Sequence, residues 1–495
     1  MLVLVEKFFD GCIRRCSIVV LCLIVLFGTT GQLASGTEKS KKRSKRNSRG
    51  NSTVKFQPSP FEDSSSRTNL EKKASKDQRL RSLLKQQAIV SVDAGPPQNP
   101  SHVKLGQALF FDKELSGNRD TACSTCHHPF LATGDELSLS VGTAAERHGT
   151  IGEDREIGDG RAFAPRNAPA VFNLGSPEWV TQYWDGRIAK TENGFISPAG
   201  SMLPKNLPNV IAIQAMFPVT SRVEMRGSKG DLDIYGNHNE LADIDDNDLT
   251  SIWDAIAARL LSLPEYQVLF AEAFPGETVG FEHAAIAIAA FEAEAFTFLD
   301  SPWDRYLAGD NRVLSSNQKN GALLFFGSAE CSSCHSGSLL TDQQFHNLGV
   351  PQFGPGKGSE APLDFARARV TGESQELFKF RTPPLRNCEI TGPYMHNGAY
   401  RDLEDAIAHH ADPSIYLKRY KIDDHVEQQP VRSSYDTRNQ ALVAGSIDLL
   451  KLPTHLSKKE IRHLADFMEA LTSPKIQQRL NATIPVTVPS GLPVD

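Results

Sequence analysis

Two short motifs use up half of the cysteine in this sequence, and what remains cannot build a disulfide framework. Of eight cysteines, Cys12, Cys16 and Cys22 fall in an apolar amino-terminal stretch, four form two Cys-x-x-Cys pairs, and Cys388 stands alone. Past that stretch no spare pair exists for a structural bridge, and Cys388 reads as a buried thiol. A membrane-spanning run is also missing, because Cys16 to Phe27 is shorter than the ~18 apolar residues a spanning helix needs. With Arg14 and Arg15 before it and Ala34-Ser35-Gly36 after it, this stretch reads as a secretory signal over residues 1–36. A retained membrane anchor is the alternative. Strand patterns are minor, which leaves a mainly α fold.

What is present is Cys123-Ser-Thr-Cys126-His127 and Cys331-Ser-Ser-Cys334-His335. Cys-x-x-Cys-His is the attachment signature of c-type haem. Two thiols add across the porphyrin vinyl groups, and the adjacent imidazole is delivered to one axial position of the iron. Zinc sites and redox dithiols use the same Cys-x-x-Cys. Zinc, however, usually wants a second Cys or His pair nearby, and a dithiol does not need a His after it in two separate copies. Two covalent haems are therefore the expected cofactors, and an exported, periplasmic-type location is the compartment that suits them.

Charge divides the chain unevenly. The whole carries −6, yet residues 37–90 hold fifteen Lys/Arg against five Asp/Glu, leaving −17 on residues 91–495. Seven of those basic residues lie between Lys39 and Arg49, among Ser and Asn. Such polar, aperiodic composition predicts a basic disordered linker over 37–90. It could associate with an anionic envelope surface; nucleic acid is not an expected partner of an exported haem protein.

The rest suits two domains, and a weak repeat marks them. Gly106-Gln-Ala-Leu-Phe-Phe111 precedes the first haem motif and Gly321-Ala-Leu-Leu-Phe-Phe326 precedes the second. Each half closes with a helical pattern, Ala-rich from Glu282 to Phe298 and, in the second half, opened by the capping box Ser457-Lys-Lys-Glu460 before Ile461, Leu464, Met468 and Leu471. Helix, haem motif and closing helix form the order of a cytochrome c domain. The expected layout is two such domains with long connecting loops, at 91–305 and 306–480, and a tail at 481–495.

Ordered landmarks flank the haem motifs: Leu105-Gly-Gln-Ala-Leu-Phe-Phe-Asp112, Pro165-Arg-Asn-Ala-Pro169, Gln182-Tyr-Trp-Asp-Gly-Arg187, Val223-Glu-Met225, Ser301-Pro-Trp-Asp-Arg-Tyr-Leu307, Phe380-Arg-Thr-Pro-Pro-Leu-Arg-Asn387 and Thr391-Gly-Pro-Tyr-Met-His396. On these the chain resembles the bacterial di-haem cytochrome c peroxidases, including their methylamine-utilisation maturation branch, over about residues 98–475. The resemblance implies a peroxidatic haem on His127 and an electron-receiving haem on His335. It also implies hydrogen peroxide as oxidant and a small c-type cytochrome or cupredoxin as electron donor. Glu224 aligns with the family's distal carboxylate, a general acid and base for O–O heterolysis; a salt bridge to Arg222 or Arg226 is the bland alternative. Trp184 aligns with the tryptophan between the haems. Asn167, with the carbonyls of Thr391 and Pro393, matches an oxygen-donor calcium site, and His396 matches a supporting position. The alternatives to a peroxidase are an oxidase acting on Trp or Tyr of a partner protein and a non-catalytic di-haem electron carrier.

Two departures stand out. Where the ordinary peroxidases carry a His that blocks the peroxidatic iron, Val141-Gly142-Thr143 offers Thr. His148, in the insert that follows, is the only substitute nearby, so the iron is expected to be open without prior reduction. At the other haem, where relatives use Met or Tyr, this chain has His409-His410. On a helix capped by Asp402, Leu403, Ile407 and His410 share an apolar stripe, while His409 is expected on the polar side with Asp402 and Asp405. His410 is the expected axial ligand.

Overall fold

A computed structural model describes residues 75–448 and 455–495. The predicted signal (1–36) and the first part of the linker (37–74) lie outside the described residues. The described chain is one compact unit and mainly α. Its principal helices are α1 (Lys76–Gln86), α2 (Pro100–Phe111), α3 (Val210–Ala215), α4 (Leu249–Leu261), α5 (Pro264–Ala273), α6 (Phe281–Ala295), α7 (Ser316–Leu323), α8 (Leu403–Ala411), α9 (Lys458–Glu469) and α10 (Ile476–Asn481). Strands are short: β1 (Thr181–Gln182), β2 (Ile188–Thr191) and β3 (Gly194–Ile196) form an antiparallel meander, and β4 (Phe345–His346) pairs with β5 (Phe380–Arg381). Among the described residues no helix is long and apolar enough to cross a membrane.

The sequence repeat is a repeated helix crossing. In the first half α2 crosses α6 at Gly106, where a Cβ would lie 1.9 Å from the Ala287 carbonyl oxygen and 2.8 Å from Phe291 Cβ. In the second half α7 crosses α9 at Gly321, where a Cβ would lie 1.7 Å from the His463 carbonyl oxygen and 2.8 Å from Phe467 Cβ. Only glycine lets the two backbones approach so closely. The following Phe-Phe pairs pack alike: Phe110 and Phe111 lie 5.3 and 6.0 Å from Phe291, and Phe325 and Phe326 lie 5.2 and 5.9 Å from Phe467. Ser457 and Glu460 form the predicted capping box of α9.

Both ends of the described chain depart from expectation. Residues 75–86, inside the predicted linker, open with a Ser75–Gln78 capping box and form α1. This helix buries Leu80 and Leu84 against Trp303, Tyr306 and Phe326 of the second core, and Lys319 pairs with Asp77. Leu80, Leu83 and Leu84 supply enough apolar stripe to hold a short helix that charge content alone assigned to disorder. At the other end, Ile476 and Leu480 of α10 join the core of the first half rather than the second. The predicted tail then packs on the first haem motif. Ser490 binds buried Asp112, and Asp495 accepts from Thr125 Oγ1 at 2.6 Å and pairs with buried Lys113 at 2.5 Å.

Candidate functional site

Each Cys-x-x-Cys-His turn prepares its imidazole in the same way. His127 Nδ1 lies 3.2 Å from the Thr133 carbonyl and His335 Nδ1 lies 3.1 Å from the Leu340 carbonyl. A carbonyl can only accept, so each Nδ1 carries the proton and each Nε2 keeps a free lone pair, the tautomer a metal ligand needs. Both motifs line one continuous cavity of about 420 Å³. Among the described residues the only cluster of three candidate ligands is Cys334, Asp342 and His346, which contains a single Cys. That is a poor fit to a Cys-rich structural zinc site.

Opposite His335 stands His410. The two ring centroids are 6.3 Å apart. Two metal–nitrogen bonds of about 2.0 Å, with each centroid roughly 1 Å behind its nitrogen, span the same distance. His410 donates Nδ1–H to the Ala406 carbonyl at 2.8 Å, which leaves its Nε2 free. His409 is committed on both nitrogens, to the Tyr400 hydroxyl at 2.8 Å and the Leu348 carbonyl at 2.7 Å. The expectation that His409 lies on the polar side of α8 does not hold. His409 does not face solvent but is fully buried, because Tyr400 and the loop at Leu348 cover the side of α8 that reads as polar.

Glu224 lies on a single π-type turn over Arg222–Arg226 and lines the cavity on the first-motif side. The bland alternative fails, because Arg222 and Arg226 both pair with Asp246. Gly142 brings the neighbouring loop against this turn. A Cβ there would lie 2.2 Å from the Val223 carbonyl oxygen, and Thr143 N donates to the Glu224 carbonyl at 2.8 Å. Burial raises the Glu224 carboxyl above the ordinary range, opposed by the cations of Arg187 and Lys357. Thr143 itself is buried and bonded to Asp120 at 2.7 Å, while His148 is exposed and absent from the cavity lining.

Between the motifs, Trp184 is buried against Ala366 and Phe380 of the second half. Its indole N–H donates to the Asn167 carbonyl at 3.0 Å. Arg381 clamps this strip from the second half, its backbone N–H on Trp184 O at 2.8 Å and its Nε on Tyr183 O at 3.1 Å. Tyr183 takes a left-handed backbone, φ 67°, with the Arg187 guanidinium 3.4 Å over its ring. Asn167, Thr391 and Pro393 line the same cavity; Asn167 gives its Nδ2 to the Leu137 carbonyl at 2.8 Å. The His396 ring stacks on Phe380 at 3.4 Å, and its backbone carbonyl accepts from Asn167 N.

Arg381 is the residue a reading of motifs passes over, although it sits in the Phe380–Asn387 landmark. It is buried, and among the described residues its Nη1 has no partner and no carboxylate pairs with it. Arg386 likewise leaves Nε and Nη1 unpartnered beside its bond to Asp304. A buried cation without a paired carboxylate, as at Arg381, is costly, and Arg381 and Arg386 both line the cavity. Haem propionates are the carboxylates such a cavity would receive, so the donor set fits two haems.

Comparison with known proteins agrees with this geometry. A family model for di-haem cytochrome c peroxidase matches residues 100–312. The methylamine utilization protein MauG of Methylorubrum extorquens is 31% identical over 378 residues, covering 76% of this chain and 79% of that one. The chain belongs to the di-haem cytochrome c peroxidase family. Cytochrome c551 peroxidase of Pseudomonas aeruginosa is also 31% identical, over 63% of this chain and 72% of its own length. Among solved structures, a MauG-like protein associated with microbial copper homeostasis superposes with a TM-score of 0.53 at 26% identity, covering 79% of this chain and 94% of the other. This di-haem peroxidase family member is accordingly an oxidoreductase, and its family implies two haems.

Proposed function

We propose that the protein is an exported di-haem c-type peroxidase that reduces hydrogen peroxide to water with electrons from a small c-type cytochrome or cupredoxin. It would be built as two cytochrome c-like domains, 91–305 and 306–480, with α1 and residues 476–495 exchanged between them. Cys123, Cys126 and His127 would hold one haem, and Cys331, Cys334, His335 and His410 the other. Bound haems would supply one-electron exchange at each of the two motifs, and on the His127 side would react with oxidant.

The observation that carries the reading is Glu224. Its carboxyl lies in the first-motif cavity, unclaimed by neighbouring arginines and raised in pKa by burial, which suits a group that must take and return a proton. Thr143 and Gly142 hold the turn that carries it. With Thr143 in place of a blocking His and His148 exposed, no reductive opening step is expected. Trp184 lies where a polarizable ring would couple the two sites, and Arg381 would fix both the Trp184 strip and a propionate. Asn167 with the carbonyls of Thr391 and Pro393 would hold one calcium ion. The test is to mix the oxidised, haem-loaded protein with peroxide while recording its spectrum. Immediate reaction that is slowed in Glu224→Gln supports the assignment; a requirement for prior half-reduction, or turnover unchanged in Glu224→Gln, overturns it.

A further inference from the structure

A loop of the second half, residues 354–363, reaches the Gln182–Arg187 strip of the first, and it carries a cation that the reaction above does not use. Lys357 N donates to the Leu363 carbonyl at 2.9 Å. The Lys357 carbonyl accepts from Arg369 Nη1 at 2.9 Å, and Arg369 pairs with Glu360. At Gly356, φ 66°, a Cβ would lie 2.4 Å from the Pro362 carbonyl carbon. The loop is thus closed tightly on itself, and the half-buried Lys357 side chain lines the cavity together with Glu224, Arg166 and Arg187.

Three cations and three carboxylates meet there. Arg166 donates Nε and Nη2 to Asp364 at 2.6 and 2.9 Å and Nη1 to Asp185 at 2.7 Å, and Arg187 Nη1 binds Asp185 at 3.1 Å. Those two guanidiniums claim both aspartates. Lys357 Nζ lies 3.8 Å from Asp185, too far for a hydrogen bond. Its charge is left for Glu224, which among the described residues has no guanidinium bonded to it. The charges balance only with Lys357 protonated and Glu224 ionised.

Around Glu224 stand Arg187, Lys357, Arg166 and the Ser221 hydroxyl, with the Tyr183 phenol and Cys126 beyond. Around Lys357 stand Arg166, Arg187, Asp185 and Asp364. Burial pulls the ammonium below its ordinary range, helped by the two guanidiniums and opposed by the two aspartates, while burial raises Glu224 above its own. The two groups therefore compete for one proton.

We propose that Lys357 is a positioning residue for peroxide reduction: by keeping that proton on its own nitrogen it holds Glu224 as the carboxylate that takes a proton from one peroxide oxygen and returns it to the other. The inference rests on the peroxidase reading and on Glu224 as its acid and base. Lys357 gives up no proton in the cycle, so the sum is unchanged: one peroxide, two electrons from the donor protein and two protons from solvent give two waters. The site is assembled across both halves, the carboxylate from the first and its counter-charge from the second.

The experiment follows the carboxylic C=O infrared band of Glu224 in the oxidised, haem-loaded protein against pH, assigned by its absence from Glu224→Gln, together with kcat/KM for peroxide. In Lys357→Met the band should persist to about one pH unit higher, the scale of losing one nearby opposite charge. The acid limb of kcat/KM, which reports groups of the free enzyme, should move with it, so that at a fixed pH on that limb kcat/KM falls about tenfold. Lys357→Arg, which cannot lose its charge, should return both to their wild-type positions. A band and limb that stay in place in Lys357→Met, or that move equally in Lys357→Met and Lys357→Arg, overturn the inference alone. Wild-type protein that does not react with peroxide, or that reacts no faster than Glu224→Gln, overturns the reading on which the inference rests.

Discussion

Replacing Gly321 with Ala tests whether the repeated helix crossing sets the geometry of the second haem site. The new Cβ would start 1.7 Å from the His463 carbonyl oxygen, whereas an acceptable C···O contact is about 3.3 Å, so α7 and α9 must separate by about 1.5 Å. Overpacking a core costs about 1–3 kcal/mol, and an immovable helix backbone places this case at the upper end. Ala returns about 1 kcal/mol of helix propensity, for a net loss of about 2 kcal/mol. The displacement should not remain local, because Leu464 and Met468 of α9 pack with Leu403 and Ile407 of α8, the helix that carries His410. Gly321→Ala is therefore expected to broaden or diminish the low-spin signal of the second haem and to leave the first unchanged. Gly106→Ala, which displaces α6 and with it Ile288 and Glu292 of the first-motif cavity, should do the converse. Electron paramagnetic resonance with denaturant unfolding on both variants is the assay. Wild-type stability in both, or perturbation of the opposite haem, would refute the crossing as the determinant.

Other outcomes are specific enough to check. Intact mass of the mature protein should exceed the polypeptide by two haems, neither extracted by acid-acetone, and bound zinc without haem would end the reading. Glu224→Gln should keep both haem spectra and slow peroxide turnover by ~10²–10⁴; normal turnover would reduce Glu224 to a structural role. His410→Met should raise the potential of the second haem, since Met ligation lies above His ligation. His409→Ala should keep the low-spin signal and lose about 1–3 kcal/mol of stability for the abandoned Tyr400 hydroxyl; loss of the signal in His409→Ala would reverse the ligand assignment. Glu292, buried with an oxygen that has no partner among the described residues, has its carboxyl pushed up to about 8. Its folded-state pKa exceeds its unfolded one, so its contribution is fully present below about pH 4.5 and is lost as pH rises toward 8. Glu292→Gln should flatten the pH dependence of denaturant stability across that window, and an unchanged slope would place the charge elsewhere.

Much of this protein is written locally. The haem motifs are five-residue patterns, the α9 capping box is four residues long, and the Gly-x-x-x-Phe-Phe repeats lie directly before the motifs they serve, so each was legible without knowledge of the fold. The apolar stripe of α8 offers His410 as the candidate ligand from sequence. Charge and composition misled at the ends, because the Leu80–Leu84 stripe of α1 has value only against Trp303 and Phe326, more than two hundred residues away. Position places residues 476–480 in the second half and 481–495 in a tail, yet Ile476, Leu480 and Asp495 find their partners around the first motif.

Which groups are present follows from the sequence alone: two Cys-x-x-Cys-His motifs, Cys388 apart from them, a carboxylate at Glu224 and a pair of adjacent histidines. Their relations were decided only by tertiary structure. Asp246 draws Arg222 and Arg226 away from Glu224, Gly142 admits the loop that supports it, Arg381 reaches across to hold the Trp184 strip, and Tyr400 with Leu348 buries the histidine that reads as exposed. The physical reason is that a motif fixes chemistry through covalent spacing. Protonation, orientation and partnership depend on which distant groups share the same dry cavity, and no local pattern encodes that.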